Sequence, residues 1–222
     1  MNGLPLLQSI FDETTEKTIE VNVLAELVRR FLPNYVVTIL GPSRKQEREL
    51  GFDDILEGLP PGYTFTFQFK KPFMRNDGCP RFTINIRQLQ VLLDRFTRNE
   101  AFFVLCPFTR TSDLITAHRG GNLLQQSPLL DVHDIPLARK QTQKTRTLKY
   151  TGPGQIEVTD PRKYLPVEKT WSFEDLIKAV MEEKVGRKKP KKKEVSKEKK
   201  RRYGGTNYYI HIAKKEENNS SN

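Results

Sequence analysis

The chain has 222 residues, 36% hydrophobic and 29% charged, with a formal net charge of +11. That length carries one domain, or one domain plus a tail, and enough chain to bury a core. The longest apolar run, Ala101 to Phe108, is eight residues, far below the roughly 18 to 20 a membrane helix needs, so a spanning protein is excluded.

The N-terminal stretch MNGLPLLQSIFDE lacks a basic start, a long apolar core and a small-residue cleavage site, so no secretory signal is expected. Residues 15–32 then place Ile19, Val23, Leu24, Leu27, Val28 and Phe31 at helical spacing, and Pro33 ends the run. Glu20 falls inside the apolar stripe, with Glu16 one turn earlier beside it, and Glu26 and Arg30 at the edge. Negative charge suits a helix start, which accounts for Glu16 better than for Glu20.

Tyr35 to Leu40 reads as a short buried strand ended by Gly41-Pro42, Gly51 to Glu57 as a second strand, and GLPPG (Gly58 to Gly62) as a turn. Tyr63, Phe65, Phe67 and Phe69 alternate with Thr64, Thr66, Gln68 and Lys70, a period-2 strand with an aromatic core face and a polar face. Arg81 to Ile86 is a further strand, Arg87 to Thr97 a helix carrying Leu89, Leu92, Leu93 and Phe96, and Ala101 to Cys106 a buried strand stopped by Pro107.

Loops rich in Gly, Gln, Pro and Asp follow to about residue 140, then a small basic cluster over Arg139 to Lys149. A hairpin is expected over Leu148 to Thr159 around Gly152-Pro153-Gly154, and a helix over Ser172 to Glu183, with Ser172 and Asp175 in capping-box positions. From Lys184 to Arg202 twelve basic residues face two acids, a local charge of +10; the other 26 basic and 25 acidic residues leave +1 elsewhere. A run of this kind repels itself and attracts phosphates with a steep salt dependence; a solvated linker is the plainer alternative. Thr206 to Ala213 alternates as a strand, so the basic run is a spacer leading back to the body. Within it Lys188, Lys189, Lys191, Lys192, Lys193, Lys199, Lys200, Arg201 and Arg202 are the candidate nucleic-acid contacts.

One constellation carries chemistry. A hairpin across the Glu57–Tyr63 turn would bring Asp53 toward Gln68 and Lys70, which share one face of their strand. Carboxylates, an amide oxygen and a lysine at a strand edge suit a hydrated Mg²⁺ that polarises a phosphoryl oxygen, with the lysine beside it. An exposed strand with Thr, Gln and Lys on its wet face explains the same spacing. Three scattered histidines (His118, His133, His211) and two isolated cysteines (Cys79, Cys106) form no metal or disulfide pattern and imply a reducing compartment.

The segment Gly51-Phe52-Asp53, followed by a Pro/Gly turn and Phe67-Gln68-Phe69-Lys70, resembles the core of the PD-(D/E)XK, restriction endonuclease-like phosphodiesterases, in the variant with Gln before the lysine. TEKT (Thr15 to Thr18), RKQERELGFD (Arg44 to Asp53), FTFQFKKP (Phe65 to Pro72), RQLQVLLDRF (Arg87 to Phe96) and AFFVLCPF (Ala101 to Phe108) are similar to a set of uncharacterised prokaryotic proteins. The resemblance covers roughly residues 12 to 115. It implies an α/β fold with an αβββαβ core, a mixed sheet flanked by helices, and a C-terminal extension.

It further implies Asp53 as the central metal ligand, Lys70 as the catalytic lysine, Gln68 in the second strand position and Glu16 as the helix acid, with Glu20 in reserve and Glu47 near the site or structural. Gln68 departs from the Asp or Glu of many active relatives, and a neutral amide binds divalent metal more weakly. The resulting organisation is a nuclease-like core over 1–115, its elaboration over 116–183, a Lys/Arg-rich spacer over 184–205 and a terminal strand and polar tail over 206–222. The expected function is a cytoplasmic Mg²⁺- or Mn²⁺-dependent nuclease acting on DNA in preference to RNA, with no membrane partner and with dimerisation as in many superfamily members. The alternative is a non-catalytic nucleic-acid-binding protein on the same scaffold.

Overall fold

The computed structural model describes residues 12–31, 34–41, 62–136, 144–152, 154–160, 163–167, 170–182, 184, 186–188 and 208–214. In chain order these form α1 (Glu16–Phe31), β1 (Tyr35–Leu40), β2 (Tyr63–Lys70), β3 (Pro72–Phe73), β4 (Arg81–Asn85), α2 (Ile86–Arg95), β5 (Ala101–Leu105), α3 (Thr111–Arg119), β6 (Leu129–Asp131), β7 (Thr145–Gly152), β8 (Gln155–Asp160), β9 (Lys163–Pro166), α4 (Phe173–Met181), β10 (Arg187–Lys188) and β11 (Tyr208–Lys214). The fold is α/β with a mixed main sheet, and none of the described helices is long and apolar enough to cross a membrane.

The main sheet runs β1-β11-β2-β5-β6, with β10 also on β2. The pair β2 and β5 is parallel, Thr66 opposite Ala101 through Lys70 opposite Leu105, while β11 runs antiparallel to both β1 and β2. Alternation along each strand sorts side chains to two cores. Phe65, Phe67 and Phe69 join Phe102, Val104, Ile210 and Ile212 against Ile19, Val23 and Leu27 of α1 and Phe173 and Leu176 of α4. The ring of Phe67 meets Phe69, Phe102 and Phe173 edge-on, the arrangement ring quadrupoles favour. The aromatic row is core, as its spacing predicted.

On the opposite face Ala101, Phe103, Leu105 and Tyr209 pack against Phe82 and Ile84 of β4, Leu89 and Leu92 of α2, and Leu148, Ile156 and Val158. Those strands belong to a second, antiparallel sheet in the order β3-β4-β7-β8-β9. This layer corrects the wet-face reading of β2: Thr64, Thr66 and Gln68 are all buried.

The expected terminal strand forms as β11, but in the interior of the sheet between β1 and β2. Its presence fills one edge of β2 from Tyr63 to Phe67, and β10 and β5 fill the other. That leaves β2 no free edge over Tyr63–Phe67 for the hairpin expected with residues 51–57, which lie outside the described residues. The basic spacer is fixed to the body at its start. Gly186 sits at φ +83°, where an added Cβ would come within 2.6 Å of the Phe65 ring, and its N–H donates to the Asn99 carbonyl. Segments of the elaboration and the terminal strand thus share one core with α1 and β2.

Candidate functional site

The first turn of α1 is held where β2 ends. Thr15 caps it, its hydroxyl accepting from the Thr18 N–H at 3.0 Å; Thr14 N–H donates to Thr109 carbonyl at 2.9 Å, and the backbone of Glu13 forms an isolated antiparallel β-bridge with that of Arg110. The TEKT motif is therefore a helix start docked beside the exit from β5. Glu16, the first helical residue, directs a carboxylate oxygen to the Lys71 N–H at 3.4 Å. Burial raises its pKa, against the opposing pull of the Lys70 ammonium. Burial correspondingly lowers the Lys70 pKa, against the opposing field of Glu16. A carboxylate and an ammonium, both partly drawn out of water, thus lie within each other's field at the end of β2.

From the other side α2 reaches the same lysine. Asn85 caps this helix, its Oδ1 accepting from Arg87 N–H and Gln88 N–H at 2.9 and 3.2 Å, which sets Gln88 in the first turn over the end of β2. Lys70 Nζ donates to Gln88 Oε1 at 3.0 Å, and Gln88 Nε2 donates to Gln68 Oε1 at 2.5 Å. Lys70 also lies 5.6 Å from the Phe103 ring centroid, a placement that keeps part of the cation's attraction without water.

The structure separates the two helix acids left open by the sequence. Glu16 reaches the Lys71 N–H beside Lys70, while Glu20 is committed elsewhere: Tyr208 Oη donates to it at 2.7 Å and Lys17 Nζ lies 3.2 Å away. Lys17 in turn donates to Tyr208 Oη at 2.6 Å. The buried Glu20 is therefore explained by a partner on β11, one of the last strands in the chain, and not by the helix dipole. The third acid of α1, Glu26, is buried with Arg29 at 2.6 Å and Arg30 at 3.6 Å. The Arg29 guanidinium holds its carboxyl below the usual carboxylate range.

Gln68, Lys70 and Glu16 are thus brought together, with Gln88 as the member sequence reasoning missed. Its signal was a polar residue next to Leu89 and one turn before Leu92, inside the apolar stripe of a helix. Asp53 and Glu47 lie outside the described residues. So do Lys189, Lys191, Lys192, Lys193, Lys199, Lys200, Arg201 and Arg202, whereas Lys188 lies in β10 opposite Tyr63. The histidines stay apart: His211 bonds Thr64 Oγ1 at 2.9 Å, His133 the Phe96 carbonyl at 3.0 Å, and His118 lies 3.8 Å from Glu26. Burial pushes the Cys106 thiol up to about 11, which leaves it inert at neutral pH.

The donor set answers in part to a divalent metal. Glu16 offers a carboxylate whose one described hydrogen bond is long, but Gln68 is fully buried and its oxygen already accepts from Gln88. Among the described residues no group of three or more His, Cys, Asp or Glu side chains is placed to hold a metal ion. A metal here needs Asp53 beside Glu16, and Gln68 does not fit as its ligand. No family model, curated protein or solved structure matches the chain.

Proposed function

We propose that the chain is a DNA phosphodiesterase built on a restriction endonuclease-like core. One observation carries this reading: where α1 meets the end of β2, Lys70 donates to Gln88 at 3.0 Å and Glu16 accepts from the Lys71 N–H at 3.4 Å, both groups partly drawn out of water and within each other's field. The parallel pair β2 and β5 with α2 in the chain between them supports the fold part of the proposal. A lysine with a lowered pKa, held by Gln88, orients an attacking water or steadies the charge that develops on the phosphoryl oxygens. Glu16 lies in that lysine's field and, with Asp53, would hold Mg²⁺ or Mn²⁺, which supplies Lewis-acid polarisation when bound. The +10 segment supplies the grip on the phosphate backbone. Incubation with single- and double-stranded DNA and Mn²⁺ tests the proposal: wild type cleaves, and Asp53→Ala and Lys70→Ala do not. Equal cleavage by all three proteins refutes it.

A second reading is favoured by one specific observation, the closure of Gln68 on Gln88. A site whose second strand position is occupied by an internal hydrogen bond suits a nucleic-acid-binding protein that keeps the scaffold without the chemistry. That reading predicts binding that falls steeply with salt and is unmoved by chelator, with no cleavage under any metal.

A further inference from the structure

The hydrogen bonds around Gln88 have a fixed direction. The Lys70 ammonium carries three donors and no acceptor, so the Gln88 atom facing it at 3.0 Å is the amide oxygen. The Gln88 nitrogen then points at Gln68, so the Gln68 atom receiving it at 2.5 Å is also an oxygen. Reversing either amide sets two donors against each other. Amide oxygen and nitrogen are ordinarily assigned from their partners, and here a donor-only neighbour leaves one order. The outcome is that the Gln68 oxygen is turned inward to accept from Gln88, and the group left without a partner among the described residues is its N–H₂.

That nitrogen has no hydrogen-bond partner among the described residues, although Gln68 is 0% exposed. Two residues inward, on the same face of β2, the Thr66 hydroxyl is also buried and without a partner among them. A buried donor left unmade is costly, and native proteins satisfy such groups with protein atoms, ordered water or a ligand. An N–H repels a cation and attracts an oxygen lone pair.

We infer that Gln68 is an N–H donor to an acceptor oxygen supplied by an internal water shared with Thr66, and is not a ligand to a metal ion. This deepens the proposed site and rests on it only for the metal it excludes; the amide order stands on the described bonds.

The test measures binding, so loss of cleavage does not bear on it. Mn²⁺ alone is titrated into wild type and Gln68→Met, and the expected affinities agree within about twofold; a fall of tenfold or more in the variant overturns the inference. A short oligodeoxynucleotide is then bound in chelator. Gln68→Met and Thr66→Val are expected to leave that binding unchanged; a loss of about tenfold in Gln68→Met, the scale of one hydrogen bond to a charged group, places the acceptor on the DNA and overturns the inference. The Gln68 side-chain N–H₂ of the wild type is expected to show a magnetisation-transfer peak to a long-lived water that Thr66→Val removes. The absence of such a water peak overturns the inference. The water measurement is made on wild type, so it holds even if Gln68→Met fails to fold.

Discussion

Truncating Ile210 to alanine tests the placement of the C-terminal strand. Ile210 stands in β11 opposite Ile39 on one side and Phe65 on the other and is fully buried above α1. Flanked by strands on both edges, the site has little freedom to collapse, so the loss belongs toward the upper part of the usual range for Ile→Ala, about 4 kcal/mol. For a domain of this size one kcal/mol moves the melting temperature by about 2–4 °C, so Ile210→Ala is expected to lower it by about 8–16 °C. Val36 on β1 is exposed, and Val36→Ala is expected to cost under about 0.5 kcal/mol. Urea unfolding followed by circular dichroism measures both. A cost for Ile210→Ala below about 1 kcal/mol, or one equal to that of Val36→Ala, would refute a sheet with β11 in its interior.

The site and its surroundings set the remaining expectations. Tyr208→Phe keeps the ring against Phe69 but removes the hydroxyl that Glu20 and Lys17 share, and is expected to cost about 1–3 kcal/mol in urea unfolding; a neutral result would deny Glu20 its role as an anchor of β11. The folded pKa of Lys70 lies below 10.5, so between the two values the unfolded chain binds more protons and stability rises with pH. Lys70→Met is expected to abolish that rise, and a rise that persists in the variant assigns it to another group. Glu16 has the opposite sign, its folded value lying above 4.5. Stability therefore falls as pH climbs from 4.5 through the folded value, and Glu16→Gln removes the fall. Replacing Lys191, Lys192, Lys193, Lys199, Lys200, Arg201 and Arg202 by Gln is expected to flatten the salt dependence of DNA binding by about 0.9 in slope for each phosphate no longer neutralised; an unchanged slope places the grip on the backbone elsewhere.

The strongly periodic parts of the chain were legible in advance. The alternation of Phe65, Phe67 and Phe69, the stripe from Ile19 to Phe31 and the Ser172–Asp175 capping box each became the element their spacing predicts. The helix α3 was missed because Arg110 supplies no side-chain cap and only Leu114 and Ala117 mark its buried face. The second sheet was also missed: its strands β4 and β7 come from segments about sixty residues apart, and no local pattern records that pairing. Its consequence falls on β2, because a polar strand face reads as wet unless something covers it. Of the site, Lys70, Gln68 and Glu16 were readable as residue types at a strand end and a helix start. Gln88 was not, since its role depends on Asn85 turning α2 back over β2, and the partner of Glu20 waits 188 positions away at Tyr208.

The central claim is that Lys70, held by Gln88 in the field of Glu16, works on a phosphodiester bond. The most direct measurement is cleavage of supercoiled and linear DNA with Mn²⁺ by wild type and Lys70→Met, with DNA binding determined for both in chelator. Equal binding, with cleavage by the wild type alone, is the expected result. Equal binding with no cleavage by either protein, under Mg²⁺ as well as Mn²⁺, would contradict the claim and leave the non-catalytic scaffold as the reading that stands.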